Sequence, residues 1–309
     1  MARILIDAPR TEQRYYSAMK TARYWHLQDD GLIECKLCPR HCRIADGKHG
    51  TCLVRQRKGD ELIAASYGLV CGLAVDPIEK KPLYHFLPGS STLSFGTVGC
   101  NLLCNFCQNH HLSRAPKLEG TRMTAEEIAE AAIRYGCESV AFTYNEPIIF
   151  LEFAVDTAKV CHAHGLKTVA VTNGWIEPEP RKEFYAHMDA ANVDLKAFTD
   201  RFYQKLCGAT LQPVLDTLVY IQKETDVHLE VTTLLIPGWN DSPAEIDAMT
   251  KWAVSNLGTD VPWHFSAYRP TAKWSEAPPT PLESLLQAKS IAEHNGLQHV
   301  HLGNVHIAA

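Results

Sequence analysis

The sequence predicts an α/β protein: a partial (β/α)6 barrel of the TIM type with an N-terminal cysteine-rich appendage. Three observations lead there. From Ser91 onward, short apolar β-rich runs alternate with amphipathic helical stretches, the pattern of βα units on a parallel sheet. The first such strand runs into Cys100-Asn-Leu-Leu-Cys104-Asn-Phe-Cys107, three thiols on one tight loop. Polar residues and carboxylates then recur where successive strands end, which is what a ligand site at the top of a barrel requires.

Bulk properties allow this size of fold. The chain has 309 residues, 46% of them hydrophobic, enough to bury a large core. No apolar run approaches the length of a membrane span, and Met1 to Arg10 lack a signal peptide's apolar segment, so a cytoplasmic location without membrane attachment is expected. A net charge of −5 advertises neither nucleic acid nor lipid. Eleven cysteines, an odd number, suit a reducing compartment with metal ligation and a few buried thiols.

The first 34 residues say little; Gln13 to Leu27 fits a helix carrying Tyr16, Met19 and Tyr24. Then comes Cys35-Lys-Leu-Cys38-Pro-Arg-His-Cys42, with Gly47, Gly50 and Cys52 after it. This C-x2-C-x3-C-x9-C spacing supplies four ligands, with the Pro and Gly needed to fold tightly around an ion. Zinc and a second iron–sulfur cluster both accept four thiolates, and cysteines that bind no metal are the third reading. The basic residues nearby (Arg40, Arg43, Lys48, Arg55, Arg57 and Lys58) read as balancing thiolate charge or as solvated. Leu62 to Val75 suits a short hairpin, Asp76 to His85 an ordered connector, and Pro88-Gly89 a boundary between segments 1–88 and 89–309.

In the barrel segment, strands are expected at Thr92–Gly96, Ser139–Thr143, Thr168–Thr172, Ala191–Leu195, His228–Leu235 and Trp263–Tyr268, with a seventh offered by Gln298–Gly303. Thr124-Ala-Glu-Glu127 is a capping box opening a helix to about Tyr135. Further helices are expected over Ile148–His164, as a pair over Asp200–Glu224, and over Pro281–Asn295. The strand ends carry Tyr144-Asn-Glu-Pro147, Thr172-Asn-Gly174, Asp194-Leu-Lys196 and Ile236-Pro-Gly-Trp-Asn-Asp241, and the sixth strand carries His264. Asn-Gly and Pro-Gly are turn signals on their own; their recurrence beside carboxylates, after a cysteine loop, points to a site.

Three thiolates hold three irons of a cubane and leave the fourth iron open to a small molecule, whereas ordinary ferredoxin clusters take a fourth cysteine. The plainer readings are a zinc knuckle short of one ligand, or cysteines that merely pack.

With Phe106 directly before the third cysteine, C-x3-C-x2-C resembles the radical S-adenosylmethionine (SAM) superfamily, and Ser91 to Val305 resembles its glycyl-radical-enzyme activases. Cys35 to Asn109 is similar to the radical SAM member of the AmmeMemoRadiSam system, which shows the same order of motifs. These are Cys35 to Cys42, Cys52, Asp76-Pro-Ile-Glu-Lys-Lys-Pro-Leu83, Pro88 to Ser90, and Ser94 to Asn101. The resemblance implies that Cys100, Cys104 and Cys107 ligate a [4Fe–4S] cluster whose fourth iron is chelated by SAM. Phe106 would lie near the adenine, and Glu146 would hold the SAM ammonium. Asp194 and Lys196 would stand on its carboxylate side, and Asn173 and His264 would complete the cofactor contacts. Val171 and Thr232 stand where activases carry an aspartate and an arginine.

The expected function is reductive cleavage of SAM to a 5′-deoxyadenosyl radical that abstracts hydrogen from a substrate: a small molecule, a protein or an RNA. An external electron donor such as flavodoxin or ferredoxin is implied. The competing readings are a glycyl-radical-enzyme activase and a non-catalytic iron–sulfur or metal-binding protein.

Overall fold

The computed structural model describes residues 20–271 and 273–305. The first seven residues of the expected Gln13–Leu27 helix lie outside them, and its last part is a strand, β1 (Trp25–Leu27). β1 pairs with β2 (Ile33–Cys35), and β2 with β3 (Arg43–Ile44), in a small antiparallel sheet. A hairpin follows, one step earlier than expected: β4 (Arg55–Lys58) pairs with β5 (Glu61–Ala64).

β6 (Leu69–Pro77) is not β5's partner. It lies antiparallel to β7 (Ser91–Gly96), so the central sheet crosses the boundary expected near Pro88-Gly89. β8 (Thr121–Arg122) pairs along the other edge of β6. From β7 the sheet continues through β9 (Ser139–Phe142), β10 (Lys167–Thr172), β11 (Ala190–Asp194), β12 (His228–Leu235), β13 (Trp263–Ala267) and β14 (Val300–Gly303), all parallel. Strand order follows chain order without reversal. Successive right-handed crossovers therefore place the helices on one face, and the sheet curls as an open partial barrel.

The helices lie between those strands: α1 (His110–Ser113), α2 (Ala125–Arg134), α3 (Leu151–Ala163), α4 (Pro178–Tyr185), α5 (Asp200–Phe202), α6 (Gln212–Glu224), α7 (Pro243–Leu257) and α8 (Leu282–His294). The Thr124/Glu127 capping box forms as predicted. Ser242 caps α7 through Glu245 N–H, with Pro243 in the first turn. Neither α4 nor α7 was expected; their polar faces and leading prolines masked the helical period. None of the described helices is long and apolar enough to cross a membrane.

Between β7 and α3, Phe95, Phe142, Phe150 and Phe153 pack ring to ring outside the barrel. Burial of each contributes about 1.5–3 kcal/mol. Inside the barrel, the connector after β6 acts as a stopper. Ile78 and Leu83 pack against Ala141, Val169 and Ala190, and Tyr84 and His85 donate backbone N–H groups to Glu230 at 3.0 and 2.8 Å. That leaves the C-terminal strand ends for chemistry.

Candidate active site

The three cysteines follow β7 on a loop shaped by close backbone approach. Gly99 takes φ +92°, and a Cβ there would lie 2.1 Å from the Cys52 carbonyl oxygen, so only glycine fits. Asn145 braces the loop from the end of β9: its Nδ2 donates to Gly99 O and Thr97 Oγ1, both at 3.0 Å, and its Oδ1 accepts from Thr97 N–H at 3.0 Å. The far side of the loop rests on a π turn, Tyr203–Cys207. Leu103 N–H donates to Cys207 O at 2.8 Å and Asn105 N–H to Leu206 O at 2.9 Å. Such turns recur at functional sites.

The thiols crowd together. A hydrogen bond with the buried Cys207 thiol, then burial, pushes Cys104 well above the ordinary thiol range; burial first, then Glu146 and Cys104, does the same for Cys100. Cys107 Sγ lies 3.4 Å from Ser113 Oγ. Thiols that resist losing a proton to water become thiolates when a metal takes the proton's place. Three on one loop fit a cubane's three-iron anchorage.

Glu146 is buried at the end of β9. Its Oε1 accepts from Thr172 Oγ1 at 2.6 Å and Ile148 N–H at 3.1 Å, and its Oε2 from Asn173 N–H at 2.8 Å. Burial raises its pKa to about 7, against these hydrogen bonds and the charge of Lys196. Among the described residues no cation stands within ion-pair reach of it, so this anion suits an ammonium brought by a ligand.

Asp194 and Lys196 form an ion pair of 3.0 Å at the end of β11. Burial disfavours the lysine's charge, but Asp194 and the Cys104 and Cys207 thiols outweigh it and raise the pKa well above that of an ordinary lysine. Asn173 Nδ2 donates to Asn101 Oδ1 at 2.8 Å and lies 3.9 Å from Cys100 Sγ. Phe106 is buried, its ring 5.7 Å from that of Phe202 and 6.2 Å from that of Trp274. Thr232 is paired in register with Asp194, and its buried Oγ1 has no partner among the described residues.

His264 does not stand with this group. It is the second residue of β13, 2.7 Å from Glu230 and edge-on to the Tyr84 ring, among the stopper residues near the strand starts. Three residues around the site went unassigned from sequence. Thr172 and Asn145 belong to the strand-end motifs that pointed to the site; Cys207 is a lone cysteine far along the chain and gave no signal.

The sequence profile of the radical SAM superfamily matches residues 95–249. The chain belongs to the radical SAM superfamily. It is 42% identical over 289 residues to an uncharacterized protein of Methanocaldococcus jannaschii, a match covering 93% of this chain and 86% of that one. It is 26% identical over 165 residues to the pyruvate formate-lyase-activating enzyme of Clostridium pasteurianum, covering 52% of this chain and 67% of that one. The fold is similar to the crystal structure of a radical SAM methyltransferase from Sphaerobacter thermophilus, with a TM-score of 0.57 at 15% identity, covering 93% of this chain and 78% of that one. The protein is accordingly an enzyme of the radical SAM family, whose members use a [4Fe–4S] cluster and SAM, and the non-catalytic reading falls away.

Proposed function

We propose that Cys100, Cys104 and Cys107 hold the [4Fe–4S] cluster and that the neighbouring strand ends bind SAM for reductive cleavage and hydrogen abstraction from a substrate. The observation that carries this reading is Glu146, a buried carboxylate that pairs with no cation among the described residues, set by Thr172 and Asn173 beside the Cys100 thiol. When bound, cluster and SAM together supply a one-electron reduction that releases methionine and a 5′-deoxyadenosyl radical.

The chain's own residues bind and orient. Glu146 takes the SAM ammonium. Lys196, held by Asp194 and by a hydrogen bond from Asn240 Nδ2 to its carbonyl at 2.6 Å, presents a fixed positive charge to the carboxylate. Phe106 offers an apolar wall to the adenine. Trp274, packed on that wall, keeps water from it, and its buried Nε1–H has no partner among the described residues. Excluding water and stray hydrogen donors is the protein's main duty toward so reactive a species.

Anaerobic reconstitution with iron and sulfide, followed by dithionite and SAM, tests this: methionine and 5′-deoxyadenosine form in equal amounts. A reconstituted protein that binds iron but leaves SAM intact refutes the reading. The similarity to an activating enzyme supports a second reading, in which the hydrogen is taken from a glycine of a partner enzyme. Electron spin resonance of a candidate partner separates the two.

A further inference from the structure

Four of the cysteines that the radical site does not use surround a cavity of their own. Cys35, Cys38, Cys42 and Cys52 line it together with Arg55, and it is small, about 10 Å³, the room that a single water or ion needs. Backbone N–H groups converge on the sulfurs. Those of Leu37, Arg40 and Val54, each two residues beyond its cysteine, hydrogen-bond Cys35, Cys38 and Cys52. Thr51 N–H points to Cys42 Sγ at 3.5 Å. A Cβ at Gly50 would lie 3.4 Å from Cys42 Sγ, so the loop closes tightly there.

Arg55 adds an independent observation. Its side chain is 1% exposed, and among the described residues only Nη1 has a partner, Glu152 Oε1 at 2.8 Å, while Nε and Nη2 are buried without one. Glu152 meets one side of this buried guanidinium, and leaving the N–H groups of Nε and Nη2 without an acceptor is costly until a second anion meets them. Four thiolates on one divalent ion carry a net charge of −2 and supply that anion.

We propose that these four cysteines bind one zinc-class divalent ion, with Arg55 as its counter-cation, and that the centre clamps the radical-site loop. As the chain stands, no group of three or more His, Cys, Asp or Glu side chains among the described residues is arranged as an ion's ligand shell. Binding turns the thiols inward across the cavity, releasing their protons to solvent as the metal–sulfur bonds form.

The clamp is visible in the contacts. Arg40, between two of the ligands, donates to Asn101 O at 2.8 and 3.1 Å and to Gly208 O at 2.6 Å, and its guanidinium lies over the Trp175 ring. Arg114 ties Thr51 O, at 3.1 Å, to Leu102 O. Cys52 O abuts Gly99. The loop bearing Cys100 to Cys107 is thus anchored on the loop bearing Cys38 to Cys52.

The test counts metals in the full chain purified without oxygen. The triple variant Cys100→Ala, Cys104→Ala, Cys107→Ala loses the radical-site iron and retains about one zinc per chain. Cys38→Ser loses the zinc, and Arg55→Gln weakens zinc against a competing chelator by roughly 10–100-fold. Should these variants fail to fold, cobalt added to the chelator-treated wild-type chain gives thiolate-to-cobalt charge transfer of four-thiolate intensity and tetrahedral d–d bands. Iron and sulfide in the triple variant overturn the proposal in favour of a second cluster, and absence of any metal and of the cobalt bands overturns it outright. Neither result bears on the radical site, whose own failure is a wild-type protein that leaves SAM uncleaved.

Discussion

The Glu146 carboxylate at the end of β9 accepts the backbone N–H of Asn173, at the end of β10, at 2.8 Å. Asn173 in turn reaches Asn101 inside the cysteine loop. The proposed ammonium acceptor and the proposed cluster loop therefore share one hydrogen-bonded chain across adjacent strand ends.

The first prediction is a pH dependence. Burial holds Glu146 at about 7, above its value of 4.5 in an unfolded chain. The folded state thus binds the extra proton between those values, and stability from this group falls as pH rises through that window. SAM binding runs the other way. An ammonium partner needs the carboxylate, so SAM affinity drops about tenfold per pH unit well below 7 and levels off above it. Glu146→Gln should flatten this slope in titrations of the cluster's absorbance; an unchanged slope assigns the proton elsewhere.

Truncating the same residue tests its charge. Glu146→Ala should keep the cluster and weaken SAM by about 2–4 kcal/mol, the usual loss for one partner of a buried charged pair. Equal affinity in wild type and variant would remove Glu146 from the site.

Cys104→Ala should give a soluble protein, because backbone bonds from Leu103 and Asn105 to the π turn persist without the thiol. SAM cleavage should vanish, since two thiolates do not hold the cubane at one corner. Retained 5′-deoxyadenosine formation contradicts the assigned ligand set.

Gly99→Ala should cost roughly 1–3 kcal/mol, the scale of a forced left-handed backbone, and more if the Cys52 carbonyl, 2.1 Å from the new Cβ, fails to move. Because that contact joins the two cysteine loops, iron incorporation should fall along with the midpoint of thermal unfolding. A variant that unfolds and loads iron as the wild type does would show the loops to be independent.

The sequence alone determined the local and the periodic. All seven parallel strands were legible, since buried strands read as short apolar β-rich runs between turn signals. So were the C-x3-C-x2-C loop and the carboxylates at the strand ends, because neighbours in sequence share one loop wherever it sits. Tertiary structure decided whatever depends on residues distant in the chain. It set β6 against β7 by paying for β6's hydrogen bonds with a barrel edge rather than with the adjacent β5. It carried His264 to Glu230 near the strand starts, because a position along a tilted strand is fixed by its neighbours' register and not by its own residues. Arg55 meets Glu152, Arg40 meets Gly208 and Cys207 meets Cys104 on the same terms. A buried charge or thiol acquires its meaning from the partner that desolvation forces on it, and that partner is chosen only when the chain closes.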